Sequence, residues 1–411
     1  VSDEAADFRM RTRFVVKLGR ALHECGASSQ RIERHLTNVT RMLGINGSFM
    51  FTPTTFTCAF WQDDDLDQFV HIERVEPAEY NLGRLWEIDR LVETIADGKL
   101  GIVEGLEELR RLAGLPPHYS TLGNALSWAL CGGSFAALLS PNPLDCAAAT
   151  LLSLVLYLIT RLSATSAGWK PVLTIIAPFA SGALASMIAL AGVGINAPFV
   201  ILSSIIIFIP GLALTVALTE ISVGHLISGS SRLVDAVMSL LKLFFGAISG
   251  LAVVEFLWFG PASAAWLAGS LPDWRAWPAI FGLSLGLGIA FNIPLRKMPW
   301  GLLAAGIAYG SASLGGIWFG MHAGMFIGAL AVGIYSNLFS RITRGPGSIL
   351  MIHGIILLVP GSRTYMILNH WFSGENILPG GNSANQALMA FVALIAGLLI
   401  ANALLPSRKS L

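Results

Sequence analysis

Charge is what this sequence has least of. Asp, Glu, Lys and Arg make up 12% of its 411 residues, against about 25% in an ordinary soluble domain. A fold surrounded by water on all sides is therefore excluded. Cysteine is scarce too: Cys25, Cys58, Cys131 and Cys146 show neither a disulfide framework nor a metal-ligand spacing. They read as small buried hydrophobes. There is no HExxH pair and no GxxxxGK[ST] loop, so nothing points to zinc hydrolysis or to direct use of ATP. No cofactor is implied. The residues before 119 hold 14 basic and 19 acidic side chains, which gives no reason to expect nucleic-acid binding. No apolar run precedes Phe49, so no secretory signal peptide is expected.

The scarce charges are unevenly placed. Of the 51 charged residues, 33 lie before residue 119. Residues 1–117 therefore read as a small soluble α+β domain, with Pro116-Pro117 as the boundary. Residues 118–260 and 276–411 read as membrane-embedded. In the soluble part, apolar spacing predicts helices over 8–25 and 30–43, with Ser28 or Ser29 as N-cap and Glu33 as a capping-box acid. Three short strands are expected at 48–51, 56–61 and 68–75, then helices over 80–97 and 101–112. Chemistry is sparse here. His23-Glu24-Cys25 and Glu33/His35 diverge on a helix. The acidic run Asp63–Asp67 lacks the glycine and terminal Glu of a calcium loop.

Ten apolar stretches beyond residue 120 approach the ~20 residues a membrane helix needs: 121–140, 143–161, 171–191, 197–219, 232–259, 276–294, 299–316, 318–339, 347–370 and 384–405. Alternating sides from a cytoplasmic N-terminus puts nine basic residues inside: Arg161, Lys170, Arg232, Arg296, Lys297, Arg341, Arg344, Arg408 and Lys409. Only Arg275 falls outside. This bias favours an even count.

Two Pro-Gly pairs interrupt apolar runs, Pro210-Gly211 and Pro360-Gly361. Proline removes a backbone donor and glycine loosens the chain, so each is expected to break a helix. Each falls in the fourth span of a five-span half. Five is odd, so two halves of one fold must enter the membrane in opposite senses. The expected fold is an α-helical polytopic membrane protein of ten transmembrane helices in two inverted five-helix repeats. Half-helix N-termini suit carboxylates and unwound carbonyls suit ammonium groups or cations, so a zwitterionic amino acid matches both.

Candidate substrate-binding residues are Pro210, Gly211, Thr215, Pro360, Gly361, Ser362, Arg363 and Thr364, with Arg363 as holder of a carboxylate. Charges within membrane helices are expensive, which makes Glu220, Asp235 and Glu255 candidates for ion coupling. Glu255 also reads as a charge near the outer interface and Glu220 as a helix-end salt bridge with Arg232, while Asp235 and Lys242 share a face two turns apart, too far to pair directly. His322 and His353 sit in apolar helices, where a relay role competes with a hydrogen-bonded structural one. Gly182, Gly246, Gly250, Gly286, Gly306 and Gly310 suit close helix packing.

Gly26-Ala27-Ser28-Ser29-Gln30-Arg31-Ile32-Glu33, Phe208–Gly211, Ser228–Asp235 and Leu358–Gly361 together resemble the threonine/serine exporter family over nearly the whole chain. The resemblance implies proton-driven antiport of L-threonine and L-serine across a bacterial inner membrane, and the basic-residue bias sets both termini in the cytoplasm. The expected partners are a small-molecule substrate, protons and the lipid bilayer, with a homo-oligomer compatible with such a chain. Related two-chain members imply a dicarboxylate such as succinate as an alternative. A membrane sensor or enzyme acting through the N-terminal part is the second alternative.

Overall fold

The computed structural model describes residues 3–62, 68–76, 80–163, 169–258, 273–343, 347–358 and 383–406. The chain opens with α1 (Asp3–Glu24) and α2 (Ser29–Met42). Strands β1 (Asn46–Phe51), β2 (Thr55–Trp61) and β3 (Phe69–Arg74) follow, then α3 (Leu82–Ala96) and α4 (Ile102–Ala113). The strands form one antiparallel sheet in the order β1-β2-β3. Alternation in β2 buries Phe56, Cys58 and Phe60, the period-two pattern of a half-covered sheet. These pack with Phe14, Leu18, Ile32, Leu36, Leu85 and Ile88 from the helices in one apolar cluster. Burial pushes the Cys25 and Cys58 thiols up to about 12, so both stay neutral and inert. The acidic run Asp63–Asp67 lies outside the described residues.

Helices dominate the rest of the chain: α5 (Thr121–Leu139), α6 (Pro143–Ser163), α7 (Lys170–Leu190), α8 (Ala197–Ser204), α9 (Gly211–Ser222), α10 (Leu226–Trp258), α11 (Asp273–Ala290), α12 (Met298–Phe319), α13 (Met321–Thr343), α14 (Ser348–Leu358) and α15 (Ser383–Leu404). Among the described residues seven are long and apolar enough to cross a membrane alone, and the bent pair α8–α9 makes an eighth. The chain is a polytopic membrane protein. Two of the ten expected spans are not among these. Asp273, Arg275 and Pro278 dilute the apolar character of α11, and α14 has 11 described residues, the rest of its expected span lying outside them. Helix α10, at 33 residues, runs about 50 Å at ~1.5 Å per residue. That exceeds the ~30 Å hydrocarbon layer, so one or both of its ends extend past that layer.

Glycines set the closest helix contacts. On α7 and α10, a Cβ at Gly182, Gly246 or Gly250 would fall 2.2 Å from the Ala247 carbonyl oxygen, 2.3 Å from that of Ile175 and 2.0 Å from that of Phe179. The same device joins α13 and α15, where Gly397 lies against Phe326 and Gly333 against Ala401. Helices α5 and α11 meet through Gly282 and Gly286, opposite Ser134 and Cys131. Gly306 and Gly310 instead make room for the rings of Phe281 and Trp277.

Candidate functional site

The first Pro-Gly pair does break its helix. Helix α8 ends at Ser204, residues 206–208 form a single 3-10 turn, and α9 starts at Gly211 with Pro210 as its N-cap. The axis bends by 53°. Pro210 cannot donate, and the Gly211 amide donates to Ile209, so the i→i−4 ladder lapses there. Ile206 and Ile207 beside the break, and Ile356 and Leu357 at the end of α14, pack around one small cluster of Cys131, Leu283 and Leu287. The last described turn of α14 thus shares a core with the first break. Pro360, Gly361, Ser362, Arg363 and Thr364 lie outside the described residues.

Hydroxyls gather where α8 stops. Ser153, Ser181, Ser203 and Ser204 are all buried. Ser181 and Ser204 share a 2.6 Å hydrogen bond, and Ser153 donates to the Ala149 carbonyl at 2.8 Å. Ser203 Oγ has no hydrogen-bond partner among the described residues. Thr215 is buried, but its hydroxyl donates to Gly211 of its own helix at 3.2 Å, as Thr219 donates to Thr215 at 2.8 Å. Such back-bonding leaves Thr215 lone pairs, and no free proton, for a solute.

A buried charged cluster lies at the other end of α9. Glu220 is 1% exposed. Its Oε1 accepts from the backbone amide of Ser29 at 2.8 Å, and its Oε2 lies 3.5 Å from Arg232 on α10. The amide belongs to the first turn of α2, so the carboxylate sits on a helix N-terminus with the dipole in its favour. Ser28 holds the N-cap position but makes no side-chain cap; a residue from a membrane helix takes that role. Glu33 does not close a capping box either. It accepts from the Phe51 amide at 3.2 Å and stands 3.5 Å from His225 Nδ1. Burial raises the Glu33 carboxyl above its usual range, opposed by the Phe51 hydrogen bond and by His225. Tyr80 faces Arg232 and Glu220, and burial raises its phenol.

Local sequence explains the geometry. Helix α9 ends in a Schellman turn: Gly224 takes φ +91°, its amide bonds Ile221, and the His225 amide bonds Glu220 at 2.9 Å. Gly229 then brings α10 against α9, a Cβ there falling 2.8 Å from the Ala217 oxygen. On the facing side α1 ends in a second Schellman turn at Gly26, φ +80°, where a Cβ would strike the Tyr80 ring. Arg31 pairs with Asp89 at 2.7 Å. The stretch 26–33 therefore meets Glu220 and His225 at the end of α9, and Arg232 of the stretch 228–235 pairs with the same Glu220 carboxylate. A second contact lies nearby, where the Leu82 amide bonds Phe291 and Gly83 packs on the Asn292 carbonyl.

The remaining candidates scatter. Asp235 is exposed on α10, one turn beyond Arg232. Glu255 is half-buried toward the far end of α10. His353 is buried and packs against Gly288 and Gly301. Nothing in the sequence singles out His225, Tyr80 or the buried serines, and Ser29 is expected only as a cap of its own helix. His225 lies three residues before the distinctive stretch Ser228–Asp235.

A bent apolar helix pair, glycine-packed spans and a buried charge cluster define a multi-pass membrane protein with a polar junction. Two family models match it, one for threonine/serine exporters over residues 13–254 and one described as "Threonine/Serine exporter, ThrE" over 279–404. The chain belongs to the threonine/serine exporter family. Curated relatives include pheromone-regulated membrane protein 10 of Candida albicans, 24% identical over 93% of this chain and 34% of the relative. The same-named proteins of Eremothecium gossypii and Saccharomyces cerevisiae are 22% and 23% identical over 92% and 94% of this chain, and 52% and 50% of their own. The chain thus spans about a third to a half of these relatives. No solved structure matches. These relatives are yeast membrane proteins, which points to a eukaryotic membrane and corrects the bacterial inner membrane implied by the resemblance.

Proposed function

We propose that the chain is a secondary exporter of small polar amino acids, L-threonine and L-serine, coupled to protons and built from two inverted five-helix halves. The observation that carries this reading is the interrupted α8–α9 span, with α14 ending on the same apolar cluster beside it. An interrupted helix leaves backbone amides and carbonyls that lipid cannot satisfy, and a zwitterion can. Support for paired halves comes from packing. The third and fifth helices of each half, α7 with α10 and α13 with α15, are joined through glycines, and the first helices, α5 and α11, pack on each other. Counting α11 and the α14 span brings the crossings to ten. The substrate site is then placed between Pro210-Gly211 and Pro360–Thr364, with the buried serines beside it and Arg363 on the carboxylate. Glu220 is the coupling carboxylate. The face that carries the nine basic loop residues, with residues 3–113, is the side from which solute leaves.

Counterflow of labelled threonine in proteoliposomes tests this. Saturable exchange with threonine and serine is expected; absence of saturable flux for threonine, serine and succinate alike would refute it, and succinate alone would move the substrate to a dicarboxylate.

A further inference from the structure

We propose that Glu33 and His225 form the proton exit of this transporter, the pair through which a proton from the Glu220 site reaches water on the basic face. The proposal rests on the proton-coupled reading above and adds a residue of the N-terminal part to the transport machinery.

Exposure gives the route a direction. The Glu220 side chain is 2% exposed and Arg232 13%, whereas Glu33 and His225 are 22% and 26% exposed. Glu220 therefore has no direct access to water, and the neighbouring pair does. The two sites are also mechanically joined. The His225 amide bonds the Glu220 carbonyl in the turn that ends α9, so a movement of that helix end carries both residues. Glu33 is fixed from the opposite side by the Phe51 amide.

The chemistry suits a relay. Carboxylate and imidazole are the side chains that exchange protons most readily near neutral pH. Burial raises the proton affinity of the Glu33 carboxyl above its usual range. In the step, the His225 imidazolium gives its Nδ1 proton to a Glu33 oxygen, and the Glu33 carboxyl releases that proton to water. Neutral His225 then takes the next proton from the Glu220 carboxyl, leaving that site a carboxylate, so one proton enters the pair and one leaves. Of the groups around this pair, Glu220 on α9 and the Phe51 amide on β1 act on Glu33, while Arg232 on α10 and Tyr80 before α3 stand beside Glu220, with His23 of α1 within the field of Arg232. The alternative is an ion pair that only fastens the N-terminal part to the membrane helices.

The test uses the full chain in proteoliposomes, as wild type, Glu33→Gln, Glu33→Asp and His225→Gln. Two fluxes are compared: threonine counterflow without a pH gradient, and threonine transport driven by an imposed pH gradient. The ratio of gradient-driven to counterflow flux should fall on the order of 10²-fold in Glu33→Gln and His225→Gln, the lower end for loss of a proton-transfer group. Glu33→Asp should recover part of it. An unchanged ratio, or a parallel loss of both fluxes with a lowered melting temperature and no recovery in Glu33→Asp, would overturn the proposal. A wild type without counterflow would instead refute the exporter reading on which it stands.

Discussion

Ser29 and Glu220 are 191 residues apart in the chain and 2.8 Å apart in the fold, amide to carboxylate. Neither group is well satisfied alone. The first turn of α2 has orphan donors and no side-chain cap from Ser28. Glu220 is a carboxylate removed from water, held otherwise by Arg232 at 3.5 Å. Each therefore completes the other, and the N-terminal part becomes structurally continuous with the broken span.

Glu220→Ala should undo this joint. It removes the cap of α2 and leaves Arg232 largely buried without its carboxylate. Loss of one partner from a buried pair costs about 3–5 kcal/mol, and the missing cap about 1 kcal/mol more. The expected result is a clear drop in melting temperature in detergent, with faster amide exchange at Ser29–Ile32. Unchanged exchange in that turn would show that α2 is capped by something else.

The second docking point is tested by Gly83→Ala. A Cβ there falls 2.2 Å from the Asn292 carbonyl oxygen, a backbone atom that cannot swing aside. Overpacking of this kind costs about 1–3 kcal/mol. Stability should fall, and limited proteolysis should cut faster between α2 and α3. Gly98→Ala makes no such clash but sits at φ +69°. Its strain is local, so it should leave the proteolysis of the junction unaltered.

Much of this was legible in the sequence, and what was not has a common cause. The expected helices over 8–25, 30–43, 80–97 and 101–112 lie on α1, α2, α3 and α4, because short-range periodicity determines them. The break at Pro210-Gly211 was legible because proline acts locally. The Ser29–Glu220 contact was not. It depends on how α9 and α2 are brought together, and a capping serine followed by an acid reads as a self-contained motif. Nor did Asp235 announce its exposure, since burial there depends on which face of α10 meets α7 and α9. The bacterial inner membrane came from resemblance alone, and the yeast relatives corrected it.

Acidity should act on the N-terminal part in two opposing ways. Glu33 has a raised proton affinity in the fold, so its contribution is fully present below the ordinary carboxyl range and is lost as pH rises through its folded value. His23 is lowered, chiefly by burial. Its contribution is present above about 6.5, the unfolded imidazole value, and is lost as pH falls through its folded value. Glu33→Gln should therefore flatten the loss of stability on the alkaline side of the carboxyl range. His23→Gln should flatten the loss on the acid side of neutrality. Melting temperatures of both variants across pH 4–8 decide this. Curves parallel to wild type would remove Glu33 and His23 as the titrating groups.

The glycine contacts give a comparison internal to the two halves. Gly250→Ala in the α7–α10 pair places a Cβ 2.0 Å from the Phe179 oxygen, and Gly397→Ala in the α13–α15 pair places one 2.5 Å from the Phe326 oxygen. Backbone atoms are the obstacle in both, so each helix pair must move apart and lose contacts along its length. Losses of about 1–3 kcal/mol are expected for each. Gly316→Ala on α12 meets nothing within 4 Å, and alanine in a helix is favoured over glycine by roughly 0.8–1 kcal/mol. That variant should be neutral or stabilised. Melting curves in one detergent would show the two junction variants falling together and Gly316→Ala holding. If Gly250→Ala alone is destabilised, the two helix pairs are not equivalent, and the support they give to paired halves is lost.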